Sequence, residues 1–371
     1  MKITFPHMGT TYIPVKTILE ELDIDVVLPP MSSKKTLELG IKCSPEAICV
    51  PFKIIMGNIL EGIENGADTV FMLTGCGPCR FGIFHALQNE IIRDMNLKIE
   101  FITADRFSNL AGLKEFSARL KEASPKNNYL KIFNTIRKGL KILDAVDELQ
   151  ELTNKIRPIE INTGEVDYLD TNFSHEIRKV HGYDEAMNLI IDYKEKVSSV
   201  KIDKTKQLLK IGIVGEIYTI LEPFINLNIE KKLGVLGIDV ARSISASEYV
   251  REQLDFLPFV HSGKKTIYQA AKPYLEIPIG GHAINTIGNS MLYKKQNFDG
   301  IIHLLPFTCM PEIVAQCILP TIEKEQDIPI MTLVLDEMTG EAGYMTRLEA
   351  FVDLLVKRKD LKNEGNSLSW N

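Results

Sequence analysis

Short apolar runs recur along this chain, and most lead through a turn into a segment with helical periodicity. Lys2–Phe5, Thr69–Leu73, Leu209–Val214, Ile301–Leu305 and Ile330–Leu335 are such runs. Strands separated by helices cannot pair as tight hairpins. They require crossover connections and a parallel sheet with helices on its faces. The pattern occurs in two blocks. The first also contains expected strands at Asp25–Leu28 and Ile99–Thr103, with helices at Ile13–Leu22, Ser44–Gly62 and Phe81–Asp94. The second adds a strand at Asp239–Ala241 and a closing helix at Arg347–Lys357. The predicted organisation is an α/β unit over residues 1–105, a helical connecting region over 106–205, and a second α/β unit over 206–371.

The connecting region is rich in Lys and Glu, with helices expected at Tyr129–Glu151 and Tyr183–Lys196 and solvated charged faces. The tail from Asn363 to Asn371 is polar and expected to be loose. No fixed-period repeat is evident. With 45% hydrophobic and 25% charged residues, the chain has the composition of an ordinary globular protein. A net charge of -6 argues against bulk binding to nucleic acid or anionic lipid. Met1–Phe5 leads directly into a loop without a signal-like apolar stretch, and no apolar run reaches the length of a membrane span. These features point to the cytoplasm, where thiols stay reduced.

The six cysteines fall in three windows: Cys43 and Cys49, Cys76 and Cys79, and Cys309 and Cys317. Residues 80–308 contain none. Cysteines used only as core residues would scatter more widely. Cys76 follows the strand Thr69–Leu73, Cys309 follows Ile301–Leu305, and Cys49 sits early in an expected helix. Ligands of open parallel sheets bind beyond the carboxyl ends of the strands. Helix N-termini there are expected to lower thiol pKa and favour the metal-binding thiolate. Thiolates select zinc, copper(I) or iron–sulfur clusters. Three chemistries stay open. Cys76-Gly77-Pro78-Cys79 also fits a thiol–disulfide oxidoreductase, which leaves four cysteines unexplained. Cys49, Cys76, Cys79 and Cys309 would suit a zinc site, although structural zinc usually takes compact local ligand pairs. A cluster held between the two α/β units accounts for the whole distribution.

Cys317 lies eight residues beyond Cys309, about 12 Å along a shared helix, so the two cannot ligate one iron. Cys317 and Cys43 are therefore core residues or ligands of a second metal unit. His7 and Arg80 are further candidates near the site, Arg80 to offset cluster charge or bind an anionic group. His303, inside a strand, reads as a satisfied core residue. The acidic run from Asp336 to Glu341 is either a helix-entry loop or a supply of acid–base groups. Gly280-Gly281-His282 and Gly288-Asn289 read as a flexible turn before a helix. No phosphate-binding P-loop is present.

Several pieces together carry a family resemblance. They are Phe5-Pro6-His7-Met8-Gly9 with Thr11-Tyr12, Ser44-Pro45-Glu46 with Cys49, and Gly75-Cys76-Gly77-Pro78-Cys79-Arg80-Phe81-Gly82. Gly215-Glu216, the run Pro306-Phe307-Thr308-Cys309-Met310-Pro311-Glu312, and Asp336-Glu337 through Gly343 complete the set. The chain resembles the 2-hydroxyacyl-CoA dehydratase superfamily, in its CoA protein activase or activase-related branch, kin to the double-cubane cluster proteins. The resemblance implies tandem Rossmann-like (flavodoxin-like) domains around a [4Fe-4S] cluster or a double-cubane [8Fe-9S] cluster. It implies a separate ATP-hydrolysing iron–sulfur activator as electron donor, and a weak expectation of a homodimer. Its matching cysteines are Cys49, Cys76, Cys79 and Cys309, with Cys43 and Cys317 as additions. Six thiolates would suit two cubanes with three ligands each, and that count favours the double cubane. The expected function is a low-potential iron–sulfur reductase or electron carrier. A 2-hydroxyacyl-CoA dehydratase component and a non-catalytic cluster carrier or maturation module are the alternatives.

Overall fold

The computed structural model describes residues 1–73, 79–104, 109–256, 260 and 262–368. It contains two four-stranded, all-parallel sheets. The first is built from β1 (Lys2–Thr4), β2 (Asp25–Val26), β3 (Thr69–Leu73) and β4 (Glu100–Ala104), in the order β2-β1-β3-β4. The second comprises β5 (Leu209–Gly215), β6 (Ile238–Arg242), β7 (Gly300–Pro306) and β8 (Ile330–Leu335), in the order β6-β5-β7-β8. The architecture is the expected tandem Rossmann-like α/β fold. Each sheet runs outward in both directions from its first strand, so each has a topological switch point, between β1 and β3 and between β5 and β7.

The crossovers in the first unit are α1 (Tyr12–Glu21), α2 (Lys34–Cys43), α3 (Val50–Glu64) and α4 (Phe84–Asp94). Then come α5 (Leu110–Ala123), α6 (Tyr129–Ile156), α7 (Glu165–Glu176) and α8 (Gly182–Ser198). The second unit carries α9 (Ile217–Leu221), α10 (Ile229–Val235), α11 (Ala246–Leu254), α12 (Lys264–Ala271), α13 (Ala283–Lys295), α14 (Met310–Gln326) and α15 (Glu341–Leu368).

The helices α5–α8 do more than connect. Their outer faces are charged, but Ile132, Ile142 and Val146 of α6 and Ile190 of α8 are buried in one core with Ile3, Leu19 and Leu22. Leu143 of α6 instead joins the core under the second sheet. Helix α3 is apolar nearly all round, and its core takes in Tyr218 and Ile225 from the second unit. Burying both faces of a helix in this way holds the two sheets together. An ion pair adds to the contact: the buried Lys53 Nζ of α3 lies 2.5 Å from Oε1 of the half-buried Glu337, in the loop after β8.

Three local expectations need correction. Ser44 to Cys49 is not helical; α3 starts at Val50, with Pro51 rather than Pro45 in its first turn. Gly288 and Asn289 lie inside α13, where a side chain at Gly288 would run into the Ile267 carbonyl. The last helix begins at Glu341 and continues to Leu368, through most of the tail expected to be loose.

Candidate functional site

Three cysteines share one structural position. Cys49 is the N-cap of α3, Cys309 is the N-cap of α14, and Cys79 is the N-cap of the short 3-10 turn Arg80–Ile83. In α3 and α14 a proline stands two residues after the cap, at Pro51 and Pro311. Proline suits the first turn because its fixed φ is already helical and the missing N–H has no helical acceptor there. Each of these helices therefore starts abruptly after the cysteine. Because Cys79 follows β3 and Cys309 follows β7, both lie at switch points, as sheet topology requires of a ligand site.

The three cysteines line a single cavity of about 300 Å³, together with His7, Glu216 and His282. Cys49 and Cys309 are buried, and Cys79 is half-buried. The loop before α13 closes one side: an added Cβ on Gly281 would come 2.6 Å from Pro311 Cγ and 3.9 Å from Cys79 Cβ, with φ at +57°. Only glycine fits so tight a left-handed approach. Gly9, at φ +56°, plays the same part opposite, since a Cβ there would lie 2.2 Å from the Leu221 carbonyl oxygen. Its N–H donates to Glu222 Oε2 at 2.9 Å and fastens the loop after β1 to the second unit.

Arg80 is the clamp of the site. Its Nη1 donates to the Ala47 carbonyl at 2.9 Å, two residues before Cys49. Its Nη2 donates to the Thr308 carbonyl and, at 2.8 Å, to Thr308 Oγ1, one residue before Cys309. Arg80 itself follows Cys79. One planar guanidinium thus joins all three cysteine-bearing loops. Thr308 needs the support, because it is a β-branched residue at φ +67°. Such a conformation costs on the order of 1–3 kcal/mol and persists only where its surroundings hold it.

Helix N-termini do not lower the thiol pKa values as the sequence reading expected. Burial pushes the Cys49 thiol up to about 12; Glu216 adds to the rise and Arg80 opposes it. Cys309 is also pushed well up, by burial and then by Glu216 and Glu312. Desolvation is the largest cause at both thiols, and at Cys49 it outweighs the opposing charge of Arg80. Glu216, the N-cap of α9, accepts the N–H groups of Tyr218 and Thr219, yet burial still lifts its carboxyl to about 7.

The other candidates separate clearly. Cys43 ends α2 and packs half-buried against the α3 core, while Cys317 is exposed on α14; neither lines the cavity. Cys76 lies outside the described residues. His7 does line the cavity; its Nε2 meets the Pro29 carbonyl at 2.9 Å and burial lowers its pKa to about 4, so the ring is neutral. His303 is the satisfied core histidine expected, 2.9 Å from Glu312 Oε2. The acidic loop proves structural. Asp336 caps its own turn through the Met338 N–H and the Thr339 hydroxyl, while Glu337 and Glu341 pair with Lys53 and Lys232. Glu216 as a cavity-lining acid and Arg80 as a clamp were not foreseen, although both belong to the pieces that carry the family resemblance.

Among the described residues, no three His, Cys, Asp or Glu side chains are close enough to hold a single ion. A cluster makes a different demand, because its thiolates bind separate irons. Nor is any described helix long and apolar enough to cross a membrane.

Residues 7–75 match a family model described as a CoA enzyme activase uncharacterised domain (DUF2229). The match runs from the cavity-lining loop after β1 to the end of β3 and takes in Cys43 and Cys49. None of the curated proteins matches the chain.

Proposed function

We propose that the cavity between the two sheets holds an iron–sulfur cluster, and that the protein accepts low-potential electrons from an ATP-hydrolysing iron–sulfur activator and uses or relays them in a reduction. One observation carries this reading: Cys49, Cys79 and Cys309, far apart in the chain, cap three helical turns around one buried cavity. A dithiol enzyme has no use for the third thiol. The donor set fits the group, since thiolates are the ligands of such clusters and the apolar walls keep water away. Bound there, a cluster would supply one-electron transfer. The positive metal centre would offset the desolvation that now holds the thiols neutral.

Cys49, Cys79 and Cys309 would hold the cluster, with Cys76 added on sequence grounds. Arg80 would fix the spacing of the three loops, and the walls would exclude water. The positions of Cys43 and Cys317 favour the smaller cluster, a single cubane, over the double cubane suggested by the count of six. The activase description of residues 7–75 supports the partnership with an activator.

Iron and acid-labile sulfide per chain, measured on protein purified without oxygen, test the proposal. About four irons are expected. About eight would restore Cys43 and Cys317 as ligands. No iron after anaerobic reconstitution would overturn the reading and bring zinc or dithiol chemistry forward.

A further inference from the structure

Away from the cysteines, the cavity wall continues over apolar side chains. Four helices turn i, i+3 or i, i+4 pairs toward it, the spacing that places side chains on one face. From α1 come Val15 and Ile18, and from α6 Ile136 and Leu140. The second pairings are Leu113 with Phe116 on α5, and Val250 with Leu254 on α11. All eight are only half-buried, although they lie between packed elements. Apolar surface left uncovered inside a fold in this way is the mark of a ligand site. Its charge is as telling as its shape. Among the described lining residues there is no Lys or Arg, and Glu216 is the only carboxylate. Among the described residues of the lobe formed by α1, α5, α6 and α11, no ammonium or guanidinium stands ready to pair with a phosphate.

We infer that this apolar lobe, formed by α1, α5, α6 and α11, binds a small uncharged hydrocarbon-bearing molecule beside the cysteine site, and that it does not recognise the nucleotide part of a CoA thioester. The ligand's role as electron acceptor rests on the iron–sulfur reading, whereas its binding does not.

The test uses the full chain and an uncharged fluorescent probe, N-phenyl-1-naphthylamine, with 1-hexanol and free coenzyme A as competitors. Wild-type protein should bind the probe saturably, hexanol should displace it, and coenzyme A should not. Leu140→Trp and Val15→Phe, on different helices, should each weaken binding by about tenfold or more, a loss of roughly 1.4 kcal/mol. Iron content and melting temperature should stay at the wild-type values. Two variants guard against a single misfolded one. Absence of saturable binding in the wild type, unchanged binding in both variants, or displacement by coenzyme A would each overturn the inference. Probe binding that persists in a protein unable to take up iron would sink the cluster reading and leave the lobe's ligand class standing.

Discussion

The two sheets have the same strand order, yet their switch points are equipped differently. The first unit brings Cys49 and Cys79 to the cavity, and with Arg80 it also brings the group that fixes their spacing. The second brings Cys309 alone, on a strained residue at Thr308, backed by the buried contacts of Glu312 with His303 and Thr286. Topology therefore explains where a site forms, and side chains explain which half does which part of the work. The first half supplies two of the described thiols and the clamp. The second supplies one thiol on a buttress of buried hydrogen bonds.

The sharpest way to break this comparison is to remove the single thiol of the second unit. Cys309→Ala should lose nearly all cluster iron, whereas Cys317→Ala, eight residues further along the same helix, should keep it. Equal retention in both variants would end the shared-site account. Arg80→Met should come next in size. It leaves every thiol in place but releases three loops, and supporting groups of this kind are worth roughly 10- to 100-fold in metal affinity. Iron release to a chelator should accelerate by that order, with circular dichroism unchanged.

Glu337→Gln probes the join between the units instead of the site. It takes the counter-charge from the buried Lys53 ammonium, which keeps only the Glu46 carbonyl, and should cost about 1–3 kcal/mol by denaturant unfolding. Lys53→Met, which removes the buried charge itself, should cost less. The reverse order would mean that the pair does not hold the two halves together.

The smallest effect concerns pH. Burial lifts the Glu222 carboxyl from 4.5 to about 7, against the hydrogen bonds it accepts from the Gly9 and Phe224 N–H groups and the Ser32 side chain. The folded state therefore favours the protonated form. Its stabilising contribution is complete below the ordinary carboxylate range and is lost as pH rises through about 7. Melting temperatures across pH 5–8 should fall less steeply in Glu222→Gln than in the wild type.

Much of the fold can be read from the sequence because a central parallel strand is apolar on both faces. Among the interior strands, Thr69–Leu73 matches the structure to the residue and Leu209–Val214 differs by one; the edge strand Ile330–Leu335 also matches, although it is only partly buried. Helix boundaries are harder where competing signals stand close together. Pro45 and Pro51 both suit a first turn, and the choice between them depends on tertiary burial of Val50 and Phe52. Helix α2 was missed altogether, although Ser33 and Thr36 form a capping box that marks its start. At the site, cysteine spacing singled out loops of which three, those of Cys49, Cys79 and Cys309, meet at one cavity. Spacing set Cys317 a helix length from Cys309 but could not say that Cys43 packs against α3, because adjacency in sequence says nothing about which way a helix face turns. The thiol pKa values were misjudged for a related reason: dipoles are visible in a helix start, but burial is not.

The clamp made by Arg80 also sets a timetable. Thr308 and Cys309 lie more than 200 residues downstream of Arg80, so a ribosome working at about 5–20 residues per second needs on the order of 10–50 s to deliver them. During that interval the early thiols have neither their third partner nor the lid of the second sheet. A nascent chain of this kind carries reactive sulfur in the open before it owns a place to bury it. Oxidants in the surroundings therefore reach these thiols most readily while the chain is still being made.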